Sequence, residues 1–372
     1  MLYGWRLVGL AAILGLLGSA AAGTALAEVQ PGATVVKHPD LGGPVQLASP
    51  PQNASTRAGL RLLRQAASAC EGTSYSGEQV VLWWGQGETS SSVVEVWHQT
   101  GGVTLVQATG AAPATPGSAS RSPAADNQDP DGILGVSDRL LVLLESNYQV
   151  VYAGHGSADN RAALVVEVRR PSGGLAARFW LDAATKLPLR REIFGDDARM
   201  ISEDSFTSLQ LGASGLRAMP APAAAPWTAQ LDQARLAALR AKGWPLAAQL
   251  PGNLVLFAAT ERSASSEPVV DVAYSDGLNV VSLFVQRGSL ARPMSGWRKV
   301  TVDGRSVYSV NRDERSFAWS ANGFVYTMVA DAPLATVGQV VSTMPGAPRP
   351  PGFWQRMAHG LHRLVSWLNP LR

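Results

Sequence analysis

The side chains of this chain that could do chemistry are few, and none completes a catalytic or metal-binding pattern. Residues 127–138 come nearest to a calcium loop, with amide or carboxylate side chains at positions 1, 3, 5 and 12 and a glycine at position 6. An EF-hand loop has a longer Glu at position 12 and follows a helix, whereas this one ends in Asp138, contains Pro130 and follows no predicted helix. We therefore favour a linker that ends in a helix N-cap at Ser137 over a calcium site.

The other pairs of reactive residues have simpler explanations than catalysis. Asp196 and Asp197 are adjacent in a predicted turn, where neighbouring side chains point apart and are solvated. His359 and His362 have the spacing of a metal pair, but both fall on a basic helix face. The chain contains no G-x-S-x-G, P-loop, H-E-x-x-H or C-x-x-C motif. We therefore predict that the protein is not an enzyme and uses no cofactor or metal.

The composition indicates a globular protein that does not bind nucleic acid. Of its 372 residues, 46% are hydrophobic and 16% are charged, which is enough apolar surface for two domains with sizeable cores. The net charge is only +3, and four arginines with no acidic residue follow Asp331. A nucleic-acid binder would instead carry a basic stripe on a folded face. The single cysteine, Cys70, excludes an intrachain disulfide and is expected to be buried.

The N-terminal segment predicts export from the cytoplasm. Arg6 precedes an apolar run from Leu7 to Leu17, and residues 25–27 read Ala-Leu-Ala, an A-x-A cleavage site. The uncharged stretch up to Ala27 is also long enough to span a bilayer if it is kept as an anchor. We favour cleavage, which makes residues 1–27 a signal peptide; with either outcome the folded part lies outside the cytoplasm.

The larger domain is predicted to be α+β over residues 55–212, after a flexible stalk at 28–54. Two helices, one capped near Ser55 and one starting at Asp138, pack against an antiparallel sheet of about seven strands. The Ala/Pro/Ser-rich insertion at 110–131 is expected to be disordered. Strands are predicted at Ser74–Trp84, Ser92–His98, Val103–Thr109, Tyr148–Tyr152, Ala162–Arg169, Arg178–Asp182, Leu189–Phe194 and Asp204–Leu211.

The last three strands form a meander whose sequence resembles a known family. The meander contains Phe179-Trp180-Leu181-Asp182, then Thr185-Lys186-Leu187-Pro188-Leu189-Arg190, then Ser205-Phe206-Thr207-Ser208-Leu209. This pattern resembles the core signature of the MucB/RseB family, extracytoplasmic regulatory proteins that bind a membrane-spanning anti-sigma factor. The resemblance covers most of the chain from about Ala58 to Met344, with gaps, and the insertion and the arginine-bearing tail depart from the family pattern.

The resemblance implies a fold and a type of site for the larger domain. The fold would be a half-open antiparallel β-barrel wrapped over helices, as in the LolA/LppX lipid carriers, with an apolar cavity for an acyl chain. The candidate residues lining this cavity are then Trp83, Trp97, Phe179 and Trp180. The residues alone favour a different interpretation, in which these large aromatic side chains simply fill the core. Both interpretations stay open at this point.

A linker at 213–226 leads to a smaller α+β domain with an antiparallel sheet, residues 227–345. Its clearest element is a hairpin of Val269–Tyr274 and Leu278–Val285, for which Asp276-Gly277 predicts a type I′ turn. The run YSDGLNVVSLFV in this hairpin also resembles the MucB/RseB C-terminal domain. In that family the smaller domain makes much of the contact with the anti-sigma factor.

Residues 346–372 are predicted to form a basic amphipathic tail helix. Apolar residues recur in it at helical spacing, and tryptophans occur near both ends. Such a helix suits a membrane interface or a partner groove, and it equally suits docking on its own domain. The candidates for the membrane- or partner-facing side are Trp354, Met357, Leu361, Arg363 and Leu364.

These features lead to one functional hypothesis and one alternative. The hypothesis is an extracytoplasmic regulator that binds the outer domain of a membrane anti-sigma factor and restrains its proteolysis, until an apolar or amphipathic envelope ligand releases it. The alternative is an envelope lipid-binding or lipid-carrier protein that uses the same cavity for transport. The expected location is the cell envelope, periplasmic or exported, with membrane contact through the tail as a further alternative.

Overall fold

The computed structural model describes residues 46–47, 52–84, 89–100, 104–108, 137–212, 229–262, 268–290, 297–309 and 316–345. Three predicted segments lie outside these residues: the signal peptide, the insertion and the interdomain linker. The tail helix also lies outside them, and with it the candidates Trp354, Met357, Leu361, Arg363 and Leu364.

The first sheet is antiparallel, with nine strands within the described residues. Sequence neighbours pair through short turns from β5 to β9, which confirms the predicted meander. In sheet order the strands are β1 (Gln46–Leu47), β5 (Gln149–Ala158), β6 (Arg161–Arg169), β7 (Leu175–Asp182), β8 (Pro188–Phe194), β9 (Met200–Leu211), β2 (Tyr75–Trp84), β3 (Thr89–His98) and β4 (Thr104–Ala108).

Two helices pack on one face of this sheet, which we call the helix-packed face. Helix α1 (Gln52–Gly72) presents an apolar stripe at helical spacing, in which Leu63 and Ala67 are buried in the core and Cys70 is 5% exposed. Helix α2 (Asp138–Asn147) begins as predicted, because the Ser137 side chain caps it by accepting a hydrogen bond from the Leu140 amide. The opposite face of the sheet is called the outer face below.

The second sheet repeats this arrangement in the smaller domain. Helices α3 (Gln233–Ala241) and α4 (Leu334–Thr343) share one core with its central strands, built around Trp244, Tyr274 and Tyr326. In sheet order the strands are β10 (Ala229–Gln230), β12 (Leu254–Arg262), β13 (Val269–Ser275), β14 (Val280–Arg287), β18 (Phe324–Asp331), β17 (Ser316–Ala321), β16 (Arg305–Ser309) and β15 (Arg298–Val302), with β11 (Gln249–Leu250) paired to β12.

Three expectations need correction. The stalk predicted at 28–54 is too long, because residues 46–47 pair with β5 and helix α1 already begins at Gln52. Strand β12 was not predicted. The hairpin turn is not type I′, since Ser275 pairs with Val280 around a four-residue loop in which only Gly277 has a positive φ, +97°.

The protein is therefore α+β, with two antiparallel sheets and helices on one face of each. Within the described residues the strand order of the first sheet is open, running from β1 at one edge to β4 at the other. Its curvature into a half-open barrel stays a prediction, as do the domain boundaries. None of the described helices is both long and apolar enough to cross a membrane.

The second sheet carries a buried carboxyl group, that of Asp271, which has no ion-pair partner among the residues that the structure describes. Asp271 lies on β13 between Thr260 of β12 and Phe284 of β14, on the face away from the core that the helices share. It is only 3% exposed, and its Oδ1 receives no hydrogen bond within the described residues. Burial raises the pKa of Asp271 to about 7. The charged form is therefore costly in the folded domain.

The substitution Asp271→Asn should stabilise the protein increasingly as the pH rises. In the wild type, ionisation of the buried Asp271 lowers the free energy of unfolding. This loss is absent below the unfolded-state pKa of 3.8, grows as the pH rises, and is complete above the folded-state pKa of about 7. The advantage of the variant over wild type should therefore increase by about 2–3 kcal/mol between pH 5 and pH 8, at about 1.4 kcal/mol per pKa unit. Urea denaturation at pH 5 and pH 8 measures the stability difference between variant and wild type. An equal difference at both pH values would contradict the prediction. The exposed Asp303→Asn in the same domain is the control.

Candidate functional site

The four aromatic candidates are divided between the two faces of the first sheet. Phe179 and Trp180 are consecutive on β7, so their side chains point to opposite faces. Phe179 lies in the core beneath the helices, in the same cluster as Leu63, and is 2% exposed. Trp180 belongs to a separate cluster with Val165. These two residues cannot line the same cavity.

Trp83 and Trp97 are divided in the same way. Trp83 pairs with Ser202, which pairs with Ile193 of the core beneath the helices, so Trp83 is on the helix-packed face and is half-buried there. Trp83 and Ser76 are both on β2 and are an odd number of positions apart, so their side chains point to opposite faces. Trp97 of β3 pairs with Ser76 and shares its face, which is the outer face. A single cavity lined by all four candidates is incorrect. A cavity on the helix-packed face stays a prediction, with Trp83 as its half-buried candidate.

The outer face carries a row of charges that runs across four strands. Glu167, Arg178, Glu192 and Glu203 are successive cross-strand partners on β6, β7, β8 and β9. Arg178 contacts both Glu167 at 2.9 Å and Glu192 at 3.6 Å. Arg190 closes the row, with Nη2 2.5 Å from Glu192 Oε1 and 3.1 Å from Glu203 Oε2. We call these five residues the charged row.

The charged row explains why Trp180 is buried. The guanidinium carbons of Arg190 and Arg178 lie 4.7 and 5.6 Å from the centroid of the Trp180 ring. These are cation–π distances, and the two cations cover the ring. The interpretation of Trp180 as part of a core is therefore supported, because its own neighbours fill the space around it.

Burial and pairing act in opposite directions on the carboxyl groups of the row. Burial raises the pKa of Glu192, and the charges of Arg190 and Arg178 do not fully offset it. Burial also acts upward on the pKa of Glu167, but the hydrogen bonds from Arg169 and Arg178 outweigh it and leave that pKa below its usual value. Buried charges of this kind fix strand register, since a slipped strand would leave one of them unpaired.

A buried polar cluster joins the two domains at the tip of the β13–β14 hairpin. Asp276 Oδ2 accepts hydrogen bonds from the Tyr148 hydroxyl at 2.7 Å and from Asn279 Nδ2 at 2.8 Å. Asp276 Oδ1 accepts from the backbone amides of Leu278 and Asn279. Its main-chain carbonyl accepts from Asn147 Nδ2 at 2.9 Å. We call Tyr148, Asn147, Asp276 and Asn279 the junction cluster.

The electrostatics of the junction cluster keep the tyrosine protonated. Burial, and after it the charge on Asp276, raise the pKa of Tyr148 above its ordinary value. The hydroxyl therefore remains a hydrogen-bond donor over the physiological range, and it also accepts from Asn279 Nδ2 at 3.2 Å. The hydroxyl thus serves as a hydrogen-bond donor in a structural joint between the two domains.

The hairpin tip packs against helix α2 with no free space. Leu278 is 6% exposed and belongs to the core of the larger domain, in a cluster with Leu141 and Leu144 of α2. A Cβ atom on Gly277 would lie 2.5 Å from Leu144 Cα and 2.7 Å from the Leu143 carbonyl carbon. Only glycine allows this approach of backbone to backbone. The smaller domain thus contributes one side chain to the core of the larger one.

Two further contacts cross between the domains. Arg191 of β8 is buried and bonds Asp204 of its own sheet at 2.7 Å and Asp331 of β18 at 3.1 Å. Burial alone would lower the pKa of Arg191, but the two carboxylate charges outweigh it and raise that pKa. Arg139 of α2 donates to the Phe257 carbonyl on β12 at 2.7 Å. The junction therefore has contacts from α2, β8, β12, β18 and the loop between β13 and β14.

The described residues contain no group of three or more His, Cys, Asp or Glu side chains that could hold a metal ion. Most of the calcium-like pattern lies outside them, and of its last residues Ser137 serves as the helix cap. Asp196 and Asp197 are both exposed, and Asp196 pairs with Arg170. The chain is thus an α+β protein with two antiparallel sheets, in which the charged row pairs across strands and the junction cluster pairs between the sheets.

Sequence patterns do not predict the junction cluster. Asp276-Gly277 predicts a turn and Leu278 the start of a strand, and neither pattern indicates contact with a second domain. Arg191 and Asp331 are far apart in the chain, and nothing local connects them. The charged row was detectable only as arginine and glutamate residues placed inside predicted strands, where charges are unusual.

The larger domain matches the model of a known protein family. Residues 59–237 match the model of the MucB/RseB N-terminal domain, and the larger domain therefore belongs to the MucB/RseB family. The match extends past the predicted domain end at 212. No curated protein matches the chain by sequence.

Solved structures with similarity to the chain include MucB itself. A crystal structure of MucB is 20% identical, with a TM-score of 0.44, over 78% of this chain and 98% of that one. The Pseudomonas aeruginosa MucA/MucB complex is 21% identical, with a TM-score of 0.41, over 76% and 96%. A LolA superfamily protein from Nitrosomonas europaea is 8% identical, with a TM-score of 0.19, over 74% and 91%. The family assignment rests on the match over residues 59–237.

The substitution Gly277→Ala should cost more than backbone strain alone. Gly304 has a positive φ of +74° and open space around it, whereas Gly277 has both a positive φ and the α2 backbone against it. Gly304→Ala should therefore lose about 1 kcal/mol, and Gly277→Ala several kcal/mol more. Urea denaturation measures both, and equal losses would show that the tip does not press on α2.

The substitution Arg191→Met should be strongly destabilising because it leaves the buried Asp204 carboxylate without its counter-charge. The expected loss is about 3–5 kcal/mol, measured by chemical denaturation. The double variant with Asp204→Leu should recover much of that loss, since both charges are then absent. Arg199→Met, at a side chain 86% exposed, is the control and should change little. A double variant no more stable than the single one would contradict the ion-pair explanation.

Proposed function

We propose that this protein is an extracytoplasmic regulator that binds the outer part of a membrane-spanning anti-sigma factor and restrains its proteolysis. The observation that carries the proposal is the match of residues 59–237 to the MucB/RseB N-terminal domain. That family is regulatory and non-enzymatic, which agrees with the absence of catalytic motifs from the sequence. The export signal read from residues 1–27 agrees with a location in the envelope.

The second domain supports a regulator over a lipid carrier. A carrier needs one domain with a cavity, whereas here a second domain with its own core is joined to the first through the buried Asp276. A partner bound mainly through the smaller domain would then respond to the state of the larger one. The solved MucB complex contains the periplasmic part of MucA, and by family the corresponding partner here is an anti-sigma ectodomain.

In this proposal a ligand releases the partner through thermodynamic linkage between the two binding equilibria. An apolar or amphipathic envelope ligand shifts the equilibrium only by the difference between its affinities for the free and the partner-bound protein. The partner must weaken ligand binding by the same factor. In this scheme the ligand enters beside the helix-packed face, where Trp83 is half-buried, and the partner dissociates. Membrane contact through the predicted tail helix would keep the protein near the ligand and near its membrane-spanning partner.

The purified mature protein should form a stable complex with the ectodomain of a membrane-spanning anti-sigma factor from the same organism. Isothermal titration calorimetry measures the affinity, and a protease-protection assay measures whether the bound ectodomain is cleaved more slowly. The ectodomain of an unrelated single-span protein of similar charge is the control. No detectable complex, with both proteins folded, would refute the regulator.

Native mass spectrometry of gently purified protein distinguishes the alternative. A lipid bound at one copy per chain, together with failure to bind the ectodomain, would favour an envelope lipid carrier. Its physical basis would be the same helix-packed face, used for transport instead of signalling. Binding of the ectodomain by protein that carries no lipid favours the regulator.

A further inference from the structure

The junction cluster connects the smaller domain to α2, one of the two helices on the helix-packed face of the larger domain. Helix α2 supplies Leu141 and Leu144 to the core of the larger domain, where they meet Leu63 of α1 and Phe179 of the sheet. This core is close-packed, so an acyl chain inserted between helices and sheet requires the helices to shift. Because Leu278 belongs to the same core, the hairpin tip must shift with them.

The tip cannot absorb that shift locally. The Gly277 backbone lies directly against the α2 backbone, with no side chain between them to change rotamer. Asp276 is 4% exposed and uses both carboxylate oxygens and its carbonyl in hydrogen bonds, two of them to Tyr148 and Asn147, which end α2 and precede β5. Displacing the end of α2 therefore either carries the tip along or breaks buried hydrogen bonds.

On the other side, the tip is continuous with the centre of the second sheet. Strands β13 and β14 are interior strands, and β14 pairs with β18 over its whole length. Val280, at the start of β14, pairs with Asp331, which holds Arg191 of the larger domain. The junction cluster and the Arg191–Asp331 contact are thus on neighbouring strands at the same end of the second sheet. A displacement of the tip therefore acts directly on β14 and, through its pairing, on β18.

We propose that the junction cluster couples ligand uptake by the larger domain to partner affinity of the smaller domain. This inference rests on the proposed function and specifies its regulation. The Tyr148 hydroxyl and the Asp276 carboxylate are positioning groups: they contact neither ligand nor partner, and they make the two domains respond together. The Arg191–Asp331 contact is the second link of the same joint.

The test compares Tyr148→Phe with Tyr152→Phe. Tyr148→Phe removes one hydroxyl from the cluster and keeps the ring. Tyr152 is four residues along the same chain segment, and its hydroxyl bonds His155, away from the smaller domain. Asp331→Asn is the second test variant, because it weakens the other link and remains informative if Tyr148→Phe folds poorly.

The first measurement is partner affinity with and without palmitoyl lysophosphatidylglycerol as the probe. The probe should weaken ectodomain binding about tenfold in wild type and Tyr152→Phe, within the usual range of coupling between sites. In Tyr148→Phe and Asp331→Asn the factor should fall towards one while the affinity for the probe itself is unchanged. If the probe weakens ectodomain binding by the same factor in all four proteins, the proposal is overturned. It is also overturned if the wild type binds probe and ectodomain without either changing the affinity for the other.

The second measurement needs neither partner nor ligand and separates this proposal from the proposed function. In scanning calorimetry the wild type and Tyr152→Phe should unfold in one transition, because the domains share a core at the junction. Tyr148→Phe and Asp331→Asn should resolve two transitions. If the ectodomain does not bind wild type, the regulator fails while two resolved transitions still support the coupling. Two transitions in wild type, or one in every variant, would overturn the coupling.

Discussion

The two domains are joined around the buried carboxylate of Asp276, whose oxygens need hydrogen-bond donors. A carboxylate buried between two domains is tolerated only if each of its oxygens has a donor. Here the donors come from both sides, since Leu278 and Asn279 belong to the smaller domain and Tyr148 to the larger. The smaller domain supplies a donor to each oxygen, and Tyr148 of the larger domain adds a second donor to Oδ2. The hydrogen bonds from Tyr148 and from Asn147 to Asp276 therefore hold the two domains together alongside the apolar contact of Leu278.

The buried charges of this protein fall into two classes with different consequences. Those of the charged row and of Arg191 have partners at ion-pair distance, and they specify register and domain position. Asp271 has no such partner in the described part of the chain, and its burial raises its pKa to about 7. The first class makes the fold specific at little net gain in stability. The second makes the smaller domain sensitive to pH without any ion pair.

The sequence predicted those features that depend on local periodicity and turn chemistry. The bounds of α2, its Ser137 cap and the meander followed from patterns within a few residues of each other. The sequence does not predict strand β12, because Pro251, Gly252 and Asn253 directly before it are typical of a loop. The aromatic candidates were placed on the right sheet but not on the right faces, since strand direction and bulges decide the face.

The junction lay beyond sequence reasoning for a physical reason. Tyr148 and Asp276 are separated by 128 residues, and each has an unremarkable local role, one at a helix end and one in a turn. Their meeting depends on how two completed domains dock, which no local pattern encodes. The resemblance to a family indicated two domains, but it did not indicate which atoms hold them together.

The position of Cys70 has a practical consequence. It is the sole thiol of the chain, it lies on the buried stripe of α1, and it is 5% exposed. An alkylating reagent can reach the sulfur only when that helix lifts from the sheet. The native protein thus contains its own reporter of helix-layer opening, readable by the rate of labelling without any engineered residue.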